Sequence, residues 1–283
     1  MLKRIYEVYA FSKDGKGGNP AGVVLDAKDL KEKEMQQIAY DLNYSETAFV
    51  MPSQKADLKV RFFTPGDEVD LCGHATIATF HTLKEVNHIS TGEYTQETKA
   101  GVLKVKVQQD GIILMEQNAP SFYDTIDKIE VADSLGIAAE ELVEEIPVQV
   151  VSTGLKDIIV PVKTLEGLKS MKLDFKKIAH ISKQYDVTGY HVFTMETLNP
   201  ATAHCRNMAP LFGIDEESAT GTANGALACY LFEYGLINEQ QTDDLCFEQG
   251  YVMNNPSEIK AQLEVSHNII TKVSVGGRAY IKA

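Results

Sequence analysis

Glu46, in the segment Asn43-Tyr-Ser-Glu-Thr-Ala-Phe-Val, places a carboxylate where a polar helical stretch passes into the apolar run Ala48, Phe49 and Val50. Such a residue is either a surface group at a helix end or, when the fold turns it inward, a general base. Further on, Thr64-Pro-Gly-Asp-Glu-Val-Asp70-Leu-Cys-Gly73-His74 reads as a strand end, a turn and a helix start carrying an imidazole. Backbone N–H groups in a first helical turn can hold an anion, and the helix dipole favours negative charge there. His74 is accordingly either structural or placed to act beside a bound carboxylate. The layout recurs at Asp215-Glu-Glu217-Ser-Ala-Thr-Gly221-Thr222, where acidic residues again precede a Gly-opened helix. Ser218, Thr220 or Thr222 can cap that helix, and capping does not exclude catalysis. The turn Gly18-Asn19-Pro-Ala-Gly22 suits a site wall better than a cofactor loop.

The elements that must position these groups come in two matching sets. Cys72-Gly-His-Ala-Thr-Ile-Ala and Thr220-Gly-Thr-Ala-Asn-Gly-Ala align at an offset of 148 residues (221 − 73), and the match continues through Leu83/Leu231 and Glu85/Glu233. Upstream, Arg61-Phe-Phe-Thr-Pro65 parallels Arg206-Asn-Met-Ala-Pro210, and Met35-Gln-Gln-Ile-Ala39 parallels Phe175-Lys-Lys-Ile-Ala179, in the same order. With Phe49 matched to Phe193, Tyr190 stands where the first half has Glu46. A carboxylate that breaks the symmetry of a duplication is a candidate for function. Each half predicts an early strand (YEVYAF, VQVVST), a second strand (AGVVL, IIVPV), an amphipathic helix, further strands and an apolar Gly-opened helix. In the first half, the helix is expected over about residues 28–42 with Asp26 as its cap. The helices after Gly73 and Gly221 are apolar around most of their circumference, as enclosure by strands requires. The expected fold is α+β, with two similar halves, each a barrel-like sheet around one central apolar helix. Residues 1–119 and 146–283 form the halves, and the acidic stretch 120–145 connects them.

Composition narrows the function classes. A chain of 283 residues with 44% hydrophobic and 24% charged side chains has material for sizeable cores. A net charge of −13 disfavours phosphate backbones and anionic membrane as partners, so neither nucleic acid nor membrane is expected. Four cysteines without a C-x-x-C pair suggest reduced thiols and a cytoplasmic setting. The Met-Leu-Lys-Arg start is basic but continues into no apolar leader. There is no Walker loop, no G-x-G-x-x-G after a strand, no H-E-x-x-H and no G-x-S-x-G, so neither cofactor nor metal is expected.

The blocks GGNPAGVVL, NYSETAFV, TPGDEVDLCGHATIATF, STGLKDIIVPV, ATGTANGALACYL and EQGYVMNNPSEI occur in an order that resembles the PhzF-like, phenazine-biosynthesis-type family over nearly the whole chain. The resemblance implies the diaminopimelate-epimerase-like fold with an active site between the halves. It also implies a cofactor-free isomerase that transfers a proton between carbons of a small, cyclic, amino- or hydroxy-substituted carboxylic acid. Glu46 matches the proton-carrying Glu of the family's S-E-T element, His74 its C-G-H-A-T histidine, and Glu217 the Asp of its E-D-P-A-T-G-S element. Asn19, Asp70, Gly73, Gly221 and Thr222 then fall at substrate-binding positions. Glu217, Ser218 and Thr222 replace the family's usual Asp, Pro and Ser, which bears on the substrate more than on the reaction class. The family is also compatible with a homodimer. An amino-acid racemase and a non-catalytic small-molecule-binding protein are the other readings of the same fold. Two-thiol racemisation would need a second cysteine where Thr220 stands, and an alcohol is too weak an acid to serve as one.

Overall fold

The computed structural model describes residues 4–282; the first three residues of the basic start and Ala283 lie outside them. The chain divides into one unit made of Met1–Glu116 with Gly276–Ala283 and another made of Gln117–Val275.

The first unit contains β1 (Ile5–Ala10), β2 (Asn19–Val24), α1 (Glu32–Leu42), β3 (Glu46–Met51), β4 (Leu58–Phe63), β5 (Glu68–Val69), α2 (Gly73–Glu85), β6 (Gly92–Thr98), β7 (Gly101–Val107), β8 (Ile113–Gln117) and a last strand, Ala279–Ile281. The last strand pairs with β1, which pairs antiparallel with β2; β2 runs parallel to β3, β4 parallel to β6, and the other neighbours are antiparallel. The parallel β2–β3 step requires a crossover, and α1 supplies it. That helix begins at Glu32 rather than near residue 28, because Leu30 N–H closes a turn onto the Ala27 carbonyl (3.0 Å). Its cap is Lys31, whose N–H donates to Glu34 Oε2 at 2.7 Å, so Asp26 does not cap it. Met35 and Ala39 of α1 pack on Val24, Phe49 and Phe63, the two rings meeting edge to face at 5.4 Å.

Helix α2 is buried around most of its circumference and packs on β1, β2, β3 and the last strand. Three threonines survive there because each hydroxyl donates back along the helix: Thr76 to Cys72 O, Thr79 to Ala75 O and Thr82 to Ala78 O, at 2.7–2.8 Å. Their hydrogen bonds are thus satisfied without water.

The second unit contains β9 (Ser121–Ile126), α3 (Lys128–Leu135), β10 (Val148–Ser152), β11 (Lys156–Pro161), α4 (Leu165–Ser170), α5 (Phe175–Gln184), β12 (Gly189–Thr194), β13 (Ala203–Ala209), β14 (Ile214–Glu217), α6 (Gly221–Glu233), β15 (Leu245–Gln249), β16 (Ser257–Ser266) and β17 (Ile269–Gly277). The plan of the first unit returns: β11 runs parallel to β12, β12 antiparallel to β13, and β13 parallel to β15. Helices α2 and α6 are both 13 residues long and start 148 residues apart (221 − 73). The matched arginines also make equivalent two-pronged ion pairs, Arg61 with Glu68 and Arg206 with Glu216.

Strand register refines the alignment of the halves. Arg61 lies opposite Phe49 and Arg206 opposite Val192, so Glu46 corresponds to Gly189, one residue before the Tyr190 expected from sequence. The carboxylate is unique to the first unit on either alignment. Gly189 has its own reason to be glycine: a Cβ there would sit 1.9 Å from the Met208 carbonyl oxygen, so backbone would have to move. Gly189→Ala is expected to lower stability by roughly 1–3 kcal/mol or more, read as a drop in the urea midpoint; an unchanged midpoint would contradict this close approach.

The stretch 120–145, expected as a connection, is instead part of the second unit's packing. Strand β9 pairs with β10, and Ile126, Val131, Leu135 and Leu142 share one core with Val148, Val160 and Ile178. Helix α3 starts where Asp127 accepts from the Ile129 and Glu130 N–H groups, and it ends on Gly136 at φ 65°. Its acidic outer face hid the Val131/Leu135 pair that faces inward. The last strand departs from the expected boundary as well, since Ala279–Ile281 pairs with β1 in the first unit. No helix among the described residues is long and apolar enough to cross a membrane.

Candidate active site

Glu46 opens β3, where the αL turn at Asn43 (φ 52°) has just ended α1. Its side chain is 20% exposed, but Oε2 is sealed from solvent and lies 3.2 Å from His74 Nε2. Ser45 Oγ meets the same nitrogen at 3.2 Å. On the other side of the ring, His74 Nδ1 faces Asn19 Nδ2 at 3.5 Å and Cys72 Sγ at 3.4 Å. An amide NH₂ can only donate, so Nδ1 is the accepting nitrogen and the imidazole proton sits on Nε2, directed at Ser45, while the nearby Glu46 Oε2 accepts no hydrogen bond. The helix start, strand β2 and strand β3 therefore bring Asn19, Glu46, Cys72 and His74 together.

Cys72 is the N-cap of α2 and gives the helix no side-chain bond, leaving the first-turn N–H groups to an anion. At Gly73, an added Cβ would meet only Met115 Cε, at 3.5 Å, so there is room above the helix start. Asp70 stands apart from the cluster: it is exposed, and its contribution is a backbone carbonyl that accepts from Ala100 N–H at 3.3 Å. Among the described residues, the group whose donor atoms approach closely enough for a metal ion is the same trio, Glu46, Cys72 and His74, within 4.8 Å.

In the second unit Glu217 ends β14, opposite Asn207 of β13. Gln249 Nε2 donates to the Glu217 carbonyl (2.8 Å) and to Thr220 Oγ1 (3.1 Å), so the Thr220 hydroxyl proton points to Glu217 Oε2, 2.7 Å away. Thr220 thus holds the carboxylate instead of capping α6, the role its position in the sequence allowed. Asn224 Nδ2 donates to Gln249 Oε1 (2.8 Å) and to Thr220 O (2.9 Å), which turns its Oδ1 toward His191 Nε2 at 3.2 Å. Asn207 Nδ2 lies 3.3 Å from His191 Nδ1. His191 is therefore neutral with its proton on Nε2, and burial pushes its pKa down to about 4. Gly221 opens α6, and the Thr222 carbonyl accepts from Thr153 Oγ1 at 3.2 Å.

Sequence reasoning missed Ser45, Asn224 and Gln249. Asn224 left a signal, an amide inside the apolar run Ala223-Asn-Gly-Ala-Leu-Ala228, where an unpartnered polar group would be costly.

The family model for PhzC-PhzF, described as phenazine biosynthesis-like protein, matches residues 8–283. The chain belongs to this family. Among its curated relatives, the uncharacterized isomerase YfhB of Bacillus subtilis is 39% identical, with 97% of this chain and 94% of the relative covered. The uncharacterized isomerase CA_C3446 of Clostridium acetobutylicum is 34% identical over 98% of this chain and 95% of its own length. A PhzF-family protein of Bacillus anthracis has a crystal structure that superposes with a TM-score of 0.89 at 33% identity, covering 100% of this chain and 98% of the other. A hydroxyproline epimerase from Agrobacterium vitis, at 13% identity and a TM-score of 0.61, shares the fold over 99% of this PhzF-family chain and 89% of its own.

Proposed function

We propose that this isomerase moves a proton between two carbons of a small carboxylic acid, cyclic and carrying an amino or hydroxy group, with Glu46 as the acid–base group and no cofactor. The observation that carries the reading is the sealed Glu46 Oε2 beside the protonated Nε2 of His74. A carboxylate oxygen shielded from water and accepting no hydrogen bond keeps its lone pairs for a substrate proton, which it can take from one carbon and return to another carbon of the same ligand. His74, oriented by Asn19, then stabilises the negative charge that develops when Glu46 is ionised. The α2 start at Gly73 supplies N–H groups for a substrate carboxylate. In the second unit, Glu217 handles protons on a substrate oxygen or nitrogen, and Gly221 and Thr222 are binding groups. An amino-acid racemase of the two-thiol type is disfavoured because Thr220, at the position matching Cys72, spends its hydroxyl proton on Glu217.

The test is isotope exchange. The protein is incubated in heavy water with a panel of cyclic amino and hydroxy acids, and carbon-bound deuterium is followed by mass spectrometry and NMR. Enzyme-dependent incorporation at carbon, without added metal or cofactor, is the expected result. Ligands that bind tightly but exchange nothing would make this a binding protein and overturn the reading.

A further inference from the structure

The sheet face that carries Glu217 in the second unit holds another carboxyl group. Asp157 of β11 lies opposite Gly189, His191 opposite Asn207, and Asn207 opposite Glu217, so strand alternation puts all of these residues on one face. Gly189 has no side chain, and Asp157 reaches past it to hydrogen-bond with the Asn207 side chain. Asp157 is 2% exposed.

Among the described residues, the face offers this buried acid no compensating cation. His191 is neutral by the hydrogen-bond directions above, and the thiols of Cys205 and Cys229 and the phenol of Tyr230 are pushed up by burial and uncharged. Lys156 with Asp186, and Arg206 with Glu216, occupy the opposite face. A buried carboxyl beside another negative charge takes up a proton instead of ionising. Burial, and then the charge of Glu217, push Asp157 up to about 8 against the lowering effect of the Asn207 bond.

We propose that Asp157 is a positioning residue for Glu217: at neutral pH the two acids hold one proton between them, kept on Asp157, so that Glu217 stays an ionised acceptor beneath the Thr220 hydroxyl. Uptake of a proton at Glu217 makes the pair neutral, and release restores its single charge. This deepens the reading of Glu217 as a proton-handling group and rests on it for a role in turnover, while the sharing of one proton stands on the two acids alone.

The test therefore uses no substrate. Protein labelled with carbon-13 at the Asp side-chain carboxyls is titrated by NMR as wild type and as Glu217→Gln, with Asp157→Asn assigning the signal. In the wild type the Asp157 carboxyl is expected to remain protonated at neutral pH, and Glu217→Gln to lower its midpoint by about one unit or more. Thermal unfolding gives a second readout. An acid that stays protonated when folded but ionises when unfolded costs the wild type stability as pH rises from its ordinary value of 3.8 toward about 8, and Asn at 157 escapes that loss. The melting temperature of Asp157→Asn minus that of the wild type should therefore grow through that window. If Asp157→Asn does not fold, selective labelling and the Glu217→Gln titration still decide the matter. An Asp157 carboxylate ionised at neutral pH, or a midpoint indifferent to Glu217→Gln, overturns the shared proton and leaves the Glu46 chemistry untouched. Absence of isotope exchange at Glu46 would leave these titrations as they are.

Discussion

Glu46→Gln should cut deuterium incorporation by about 10²- to 10⁴-fold while the thermal melt and ligand affinity stay close to wild type. The amide fits the space of the carboxylate beside His74 Nε2, which lies 3.2 Å from Glu46 Oε2. What is lost is the capacity to carry a proton. The measurement is the single-turnover exchange rate in heavy water beside a binding isotherm for the same ligand. Exchange at the wild-type rate in Glu46→Gln would sink the assignment. Cys72→Ser separates the neighbouring possibility, because Cys72 Sγ touches the same imidazole at 3.4 Å. A thiol base predicts that Cys72→Ser is the inert variant, whereas a carboxylate base predicts that it still exchanges.

Glu248→Leu should cost roughly 3–5 kcal/mol of stability, the penalty for stranding the partners of a buried charge. Glu248 on β15 is 1% exposed and accepts from Leu198 N–H (2.9 Å), Asn199 N–H (2.8 Å), the Asn199 amide and His204 Nδ1 (2.9 Å). Burial works to raise its pKa, but the bonds from His204, Asn199 and Leu198 outweigh burial and hold it at about 2, against 4.5 unfolded. A group depressed on folding contributes stability that is complete above its unfolded value and is lost as pH falls through its folded one. The difference of about 2.5 units corresponds to about 3 kcal/mol, present at neutral pH and fading between pH about 4.5 and about 2. Denaturant midpoints of wild type and Glu248→Gln across that range should converge as the solution is acidified. A constant gap would show that ionisation of Glu248 does not stabilise the fold.

The parts of this molecule that could be read from sequence are those where one residue type has one physical use. Gly73 and Gly221 opening apolar helices revealed the duplication, and the S-E-T and C-G-H-A-T elements drew attention to Glu46 and His74, which the fold brings into contact. The polar network behind Glu217 was not legible, and the reason lies in its strands. Strands β12, β13 and β15 are buried along their whole length, so they lack the in–out alternation that marks a half-exposed strand. His191, Asn207 and Gln249 lie within those strands, where each reads alone as a break in an apolar run. Their meaning depends on which polar atom faces which across the sheet, and that is set by register. The mismatch between Tyr190 and Gly189 has the same origin, since a slip of one residue is invisible in a short apolar match but exchanges the two faces of a strand.

The pairing of Ala279–Ile281 with β1 has a consequence for biosynthesis. A ribosome delivers β1 early, yet the strand that covers its free edge emerges only after every element of Gln117–Val275. Folding from the amino terminus, the usual order for tandem domains, cannot finish the Glu46 unit first. The second unit has all of its strands earlier, so the half without the sequence's isolated carboxylate is the one able to mature while translation continues. Until the closing strand arrives, β1 presents an unpaired edge, the kind of strand on which another chain can pair.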